Sequence, residues 1–142
     1  MTYEEYLDQN GSLTYRFQGV SMMPMLRQDV DLFTVVRKTG DRCKKYDVVL
    51  YRRGAQYVLH RVVKVLPDGY IILGDNCMYR ERDIKDTDII GVLTSFCRGG
   101  KTVSADNLWY RLYARIWYWL YPPRFEAKWF LGKFAAVLRR SL

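Results

Sequence analysis

His60 is the single histidine among 142 residues, and an imidazole is the side chain whose ordinary pKa suits it to take and return a proton near neutral pH. It lies in the run Tyr57-Val58-Leu59-His60-Arg61-Val62-Val63, whose Val and Tyr content reads as a strand. A partner for it is found in Gly19-Val20-Ser21-Met22-Met23-Pro24-Met25-Leu26. Ser21 follows a strand-like run and precedes a turn limited by proline, a place where a bend exposes a hydroxyl and frees neighbouring N–H groups. A serine hydroxyl is a poor nucleophile unless a base stands within about 3 Å, and His60 is the only imidazole available. The chemistry on offer is nucleophilic attack by Ser21. Cys77 is a second nucleophile by type, but nothing beside it in sequence activates a thiolate. Read alone, His60 also suits a packed strand residue, Gly74-Asp75-Asn76 a plain turn, and Met22, Met23, Met25 and Leu26 core filling.

The elements that must place these residues can be read from pattern. Thr2 and Glu5 match a capping box, predicting a helix over residues 2–9 that ends at Asn10-Gly11. Runs of four to ten or so residues rich in Val, Ile, Tyr and Phe and bounded by Gly, Asp or Pro predict strands at 13–20, 31–37, 47–51, 56–66, 70–73 and 89–96. Asp68-Gly69 marks a hairpin between the fourth and fifth. No helix of crossover length separates the strands, so an antiparallel, mainly β body is expected over residues 1–100. Arg98-Gly99-Gly100-Lys101 reads as the exit from it. Beyond lie two predicted helices, 108–121 and 125–138, divided by Pro122-Pro123.

Charge follows the same division. Residues 1–100 hold 15 Lys+Arg and 13 Asp+Glu, a net of +2; residues 101–142 hold 8 and 2, a net of +6. All four Trp and 11 of the 22 aromatic residues lie in that second segment. With 49% hydrophobic residues the chain can build a core and is not a disordered polyelectrolyte. Three cysteines without a Cys-x-x-Cys pair indicate neither a disulfide framework nor a zinc site, and no cofactor is called for. The N-terminal residues are acidic where a signal peptide is basic, and the most apolar stretch, 108–121, contains Arg111 and Arg115, too charged and short for a spanning helix. Location is left open between a peripheral membrane site and the cytoplasm. A basic, aromatic helical hairpin at 108–138 suits peripheral contact with anionic lipid; packing on the β body is the plain alternative. The nearly neutral body, with no helix-turn-helix ahead of it, argues against nucleic acid.

Taken together, Ser21-Met22-Met23-Pro24 followed by Asp29, then His60-Arg61-Val62-Val63, then Gly74-Asp75-Asn76, then Ile90-Gly91-Val92 resemble, in order and rough spacing, the catalytic boxes of the signal peptidase I and LexA-like serine peptidase superfamily. The boxes cover residues 19–97. Most bacterial signal peptidases and the self-cleaving repressors carry lysine where His60 stands; histidine is typical of the archaeal and endoplasmic-reticulum type, the branch this chain resembles. The resemblance implies a signal peptidase/LexA-like antiparallel β body and a serine endopeptidase acting on a protein that carries a signal or leader segment, with small residues at the first and third positions before the bond. It implies Ser21 as nucleophile, His60 as base and an acidic third residue. Asp75 lies in its own box, and histidine-type enzymes carry an acidic pair after that box, here Glu81 and Asp83; the three stay open alternatives. The N–H of Ser21 is the implied oxyanion donor, and Gly19, Met22 and Pro24 complete the oxyanion and substrate-binding part, Gly19 standing where many bacterial relatives have a serine. No spanning helix precedes the nucleophile box, unlike in typical signal peptidases. A catalytically inactive relative that binds a membrane or a partner is the competing expectation. A histidine base of ordinary pKa predicts activity that falls as pH drops through roughly 6 to 7.

Overall fold

The computed structural model describes residues 1–141. The capping box forms as expected: the Thr2 side chain accepts from the Glu5 N–H, and helix α1 (Tyr3–Asn10) ends on Gly11 at φ 78°, where a glycine carries no Cβ penalty. Then come β1 (Ser12–Arg16), β2 (Leu32–Arg37), β3 (Val48–Arg53), β4 (Gln56–Leu66), β5 (Gly69–Leu73), β6 (Glu81–Ile84), a 3₁₀ turn at Asp86–Asp88, β7 (Ile89–Arg98), β8 (Lys101–Ser104), α2 (Leu108–Trp119) and α3 (Tyr121–Ser141). The eight strands form one sheet in the order β1-β2-β7-β3-β4-β5-β6, with β8 also on β7, and every pairing is antiparallel. The mainly β, antiparallel expectation holds.

Four departures from the sequence-based expectation have local causes. The first strand stops at Arg16 rather than 20, because the Phe17 N–H bonds to Asp31 O and the Asp29 N–H to Phe17 O, which turns residues 17–31 into a closed loop. Arg98 to Lys101 is not an exit from the body but the turn of the β7–β8 hairpin, with Gly99 and Gly100 at φ 58° and 79°; the sheet runs on to Ser104. Strands β6 and β8 are charged or polar, four residues each, and lie outside the predicted set. At the margin of a sheet the backbone ladder, not an apolar side-chain alternation, holds such strands, and their charge blunts further pairing. Pro122-Pro123 does not fall between two helices: both prolines occupy the first turn of α3, where no intrahelical acceptor waits for their missing N–H groups.

Both faces of the central strands are covered. Leu59 and Leu50 face a cluster with Met22, Met25, Leu26 and Phe96, roofed by Tyr110 of α2. Val49, Tyr51, Val62 and Ile72 face a second cluster, and Tyr121 of α3 closes a third over Val63, Ile71 and Leu73. Through this apolar packing passes one ion pair with both side chains only 2% exposed: Arg61 of β4 and Asp75 of the loop after β5. Nε and one terminal nitrogen of Arg61 donate to the two Asp75 oxygens at 2.8 and 2.9 Å, and the other terminal nitrogen reaches Tyr46 O and Tyr110 Oη. Tyr113 Oη donates to the same carboxylate at 2.8 Å, while Trp117 Nε1 and Arg124 donate to the Asp75 carbonyl at 2.7 and 2.9 Å. The pair therefore locks β4, the 74–77 loop, α2 and the start of α3 together.

Because a buried charge stripped of its partner is costly, Arg61→Met is expected to lower stability by about 3–5 kcal/mol. Arg61→Met with Asp75→Leu should lower it by clearly less. Denaturant unfolding monitored by tryptophan fluorescence reads both, and equal losses in the single and double variants would refute the role given to the pair.

Candidate active site

Strand alternation sets the geometry around His60. In the β3–β4 ladder Val49 stands opposite His60 and Tyr51 opposite Val58, so Tyr51 and His60 are diagonal neighbours on one face. Glu81 of β6 is opposite Ile72 of β5, which is opposite Val62 of β4; the period of two puts Glu81 on that same face. The result is a hydrogen-bonded chain. Tyr51 Oη donates to Glu81 Oε2 at 2.6 Å and stands 3.3 Å from His60 Nδ1, and Arg53 pairs with Glu81 Oε1. Since the Tyr51 proton points to the carboxylate, the phenol oxygen can only accept from the imidazole. That assigns the proton of neutral His60 to Nδ1 and leaves a lone pair on Nε2.

Nε2 points to the junction of two loops. Asn76 donates its N–H to Ser21 O at 2.8 Å and its side-chain amide to Val20 O at 3.1 Å, clipping the 74–77 loop to the nucleophile turn. The turn is held from the other side by Asp31, buried, whose carboxylate accepts the N–H, Nε and a terminal nitrogen of Arg27 and the N–H of Gly99. Gly74 is where the parts converge. A Cβ on it would lie 2.9 Å from His60 Nε2, 2.8 Å from Ser21 O and 2.6 Å from Cys77 Sγ, so any side chain there would push the imidazole and the Ser21 backbone apart. The Ser21 N–H donates to no acceptor among the described residues. Ser21 and His60 do not hydrogen-bond to each other; among the described residues the one polar contact of Nε2 is Cys77 Sγ, 4.0 Å away.

Ser21, His60, Cys77 and Glu81 open on one groove of about 690 Å³, walled by Tyr15, Tyr57 and Tyr79 among others, a size that accommodates several residues of an extended peptide. The remaining sequence candidates fall elsewhere. Asp75 is not a partner of His60: its carboxylate is taken up by Arg61 and Tyr113. Asp83 is exposed, at φ 62°, and its side chain makes no hydrogen bond among the described residues. Of the three acidic residues Glu81 alone reaches His60, and it does so through Tyr51. Met22 is fully buried with its sulfur 3.4 Å from the Asp75 N–H, so it supports the loop from below instead of facing substrate. Pro24, in a cis peptide bond with Met23, and Gly19, at φ 84°, are exposed and do not line the groove. Tyr51 and Arg53 lie beyond what motif reading finds; the one available signal was that Tyr51 lies two residues from the ladder partner of His60, visible only once register is known.

Burial sets the protonation state of His60. With His60 only 5% exposed, desolvation disfavours the imidazolium and lowers its pKa from 6.5 to about 4, against the opposing pull of Glu81 and with a further push from Arg53. Burial likewise raises the pKa of the Cys77 thiol and that of the Tyr51 phenol, keeping both protonated at neutral pH. Among the described residues no group of His, Cys, Asp and Glu is arranged to hold a metal ion. No protein-family model and no curated protein matches the chain.

As the only histidine, His60 can be titrated by NMR without assignment. Its resonances should titrate with a midpoint near 4 instead of 6.5, and in Glu81→Gln the midpoint should move lower still, because the carboxylate that favours the charged ring is gone. The same shift makes stability pH-dependent. Above 6.5 neither state binds the proton; from 6.5 down to about 4 only the unfolded chain does, so stability falls across that window by on the order of 3 kcal/mol. Unfolding free energies of His60→Gln should lack this component, and a titration midpoint near 6.5 in the wild type would contradict the buried, neutral state.

Proposed function

We propose that the chain is a serine endopeptidase of the signal peptidase/LexA-like kind that removes a signal or leader segment from a protein substrate, with Ser21 as nucleophile and His60 as general base. The observation that carries the reading is the convergence at Gly74: the Ser21 backbone and the Nε2 lone pair of a neutral histidine meet within one groove, and the Nδ1 side of that histidine is fixed by Tyr51 and Glu81. In the ordered boxes of the sequence the same two residues hold the catalytic positions.

On this reading an extended peptide lies along the groove with its scissile carbonyl over Ser21. Oγ attacks as its proton passes to His60 Nε2, and the developing oxyanion takes the free N–H of Ser21. The imidazolium so formed is stabilised through Tyr51 by the Glu81 charge, the work that a directly bonded carboxylate does in a Ser-His-Asp triad. His60 then protonates the leaving amine, and water, activated by the same ring, releases the acyl group. The Ser21 hydroxyl and the ring, not bonded to each other in the free protein, must come into hydrogen-bond reach when substrate binds, a tightening common in such sites. The His60 pKa of about 4 means that the base is ready throughout the neutral range.

The test uses a peptide library with small residues before the cleavage point, or the proteome of the source cell, and compares new peptide termini. Wild-type protein should cut; Ser21→Ala and His60→Ala should each lose on the order of 10²–10⁴-fold in rate, and Cys77→Ala should keep most of it. Loss in Cys77→Ala with retention in Ser21→Ala would transfer the nucleophile to the thiol, and no cleavage by the wild type would favour a binding module. Tyr51→Phe should lower kcat by about 10-fold or more with little change in KM, since the ring loses its acceptor and its link to Glu81. The acid limb of kcat/KM, which reports the free enzyme, should lie near pH 4, well below the 6 to 7 that an ordinary histidine gives.

A further inference from the structure

Helix α3 has two unlike ends. Residues 121–128 tie it to the body: Tyr121 is buried and bonds to Met78 O, Arg124 reaches the Asp75 carbonyl, and Lys128 reaches the carbonyl and side-chain oxygen of Asn76. From Trp129 onward its apolar side chains are left exposed by the described residues. Phe130 is 67% exposed, Phe134 57% and Leu138 49%. At 3.6 residues per turn these three, with Leu131 and Val137, fall on one face. Lys133 and Arg140 border that face on one side, and Arg139 on the other. Trp129 lies beside it with Lys133 Nζ 3.8 Å from its ring centre.

A face this apolar, left open in water, calls for a partner, and the cations say which. Glu126 is the one acidic residue in α3, and Lys133, Arg139 and Arg140 pair with no carboxylate among the described residues. A second copy of the helix laid on the same face would set cation against cation along both borders. A bilayer rich in anionic lipid satisfies every part: Phe and Leu enter the acyl boundary, Trp129 sits at headgroup depth, and flanking cations extend to the phosphates. No helix among the described residues is long and apolar enough to cross a membrane, which fits a helix that lies in the surface plane. We propose that α3 docks the protein onto an anionic lipid surface through the Phe130, Phe134 and Leu138 face, flanked by the cations Lys133, Arg139 and Arg140. The proposal does not rest on peptidase activity. It does place the groove next to the membrane, because the helix that touches lipid also grips the 74–78 loop.

Co-sedimentation of the full chain with vesicles tests it, one set of phosphatidylcholine and one of equal parts phosphatidylcholine and phosphatidylglycerol. The protein should pellet with the anionic vesicles at low salt, far less with the neutral ones, and progressively less as salt is added. Phe130→Glu with Phe134→Glu, both at exposed positions and checked for folding by circular dichroism, should abolish binding. Lys133→Gln with Arg140→Gln should weaken affinity for the anionic vesicles by roughly fivefold for each cation removed. Three results would overturn the proposal: wild-type protein that stays in solution with anionic vesicles at low salt, a double glutamate variant that binds as the wild type does, or a dimer in solution that the glutamate substitutions dissociate while vesicles go unbound. Ser21→Ala protein should bind as the wild type does, so failure of the lipid proposal and failure of the peptidase reading give different patterns.

Discussion

The buried pair of Arg61 and Asp75 is the interaction on which the site depends. Two ions taken from water are favourable only if nearly every donor and acceptor they carry is used, and here they are: the guanidinium serves both carboxylate oxygens, Tyr46 O and Tyr110, while the carboxylate also takes Tyr113. Those partners come from separate parts of the chain, Tyr46 from the segment before β3 and Tyr110 and Tyr113 from α2. Satisfying one ion pair therefore fixes where the loop after β5, the helix α2 and the strand β4 stand relative to each other. His60 is the residue before Arg61, and Gly74 the one before Asp75. The pair faces one side of β4 and the imidazole the other, so the ion pair aligns the catalytic candidates without touching them.

On the opposite side, a different constraint governs. A sheet face offers only positions two residues apart; apolar Val49 stands directly opposite His60, and the polar side chains that share its face are the diagonal Tyr51 and, farther out, Glu81. The carboxylate is too far for a direct bond to the ring, and a phenol spans the gap. This arrangement keeps the negative charge at the rim, where Arg53 balances it, and leaves the ring desolvated and neutral. A carboxylate in direct contact would instead raise the pKa of the imidazole. Burial and an intermediary thus produce a histidine with its lone pair free and its tautomer fixed.

The division between a nearly neutral body and a basic, aromatic C-terminal segment is a division of labour inside α3 itself. Its aromatic and basic residues of the first turn are consumed by the body: Tyr121 fills a core, and Arg124 lies 3.9 Å over the Trp117 ring while bonding to the Asp75 carbonyl. Those of the later turns face outward. Composition alone cannot separate the two uses, since the same residue types serve a packed face and an exposed one; only the contact with the 74–78 loop tells where one ends and the other begins.

Local rules were enough for much of this. Thr2 and Glu5 cap a helix, Asp68 and Gly69 belong to a hairpin, six strands follow from runs of Val, Ile, Tyr and Phe, and the absence of crossover helices implies antiparallel pairing, because each depends on neighbours in sequence. Ser21 and His60 stood out by type and place for the same reason. The strands β6 and β8, the hairpin at Gly99-Gly100 and the start of α3 at its prolines escaped, since a ladder partner or a free helix end decided them and not side-chain pattern. The acidic partner escaped too. Asp75, Glu81 and Asp83 are equivalent in a linear reading; register sends Glu81 to the face of His60, Arg61 captures Asp75, and the backbone turn at Asp83 leaves it in solvent. Which carboxylate serves the histidine is a question of distance across strands and of burial, and those quantities exist only once the chain has folded.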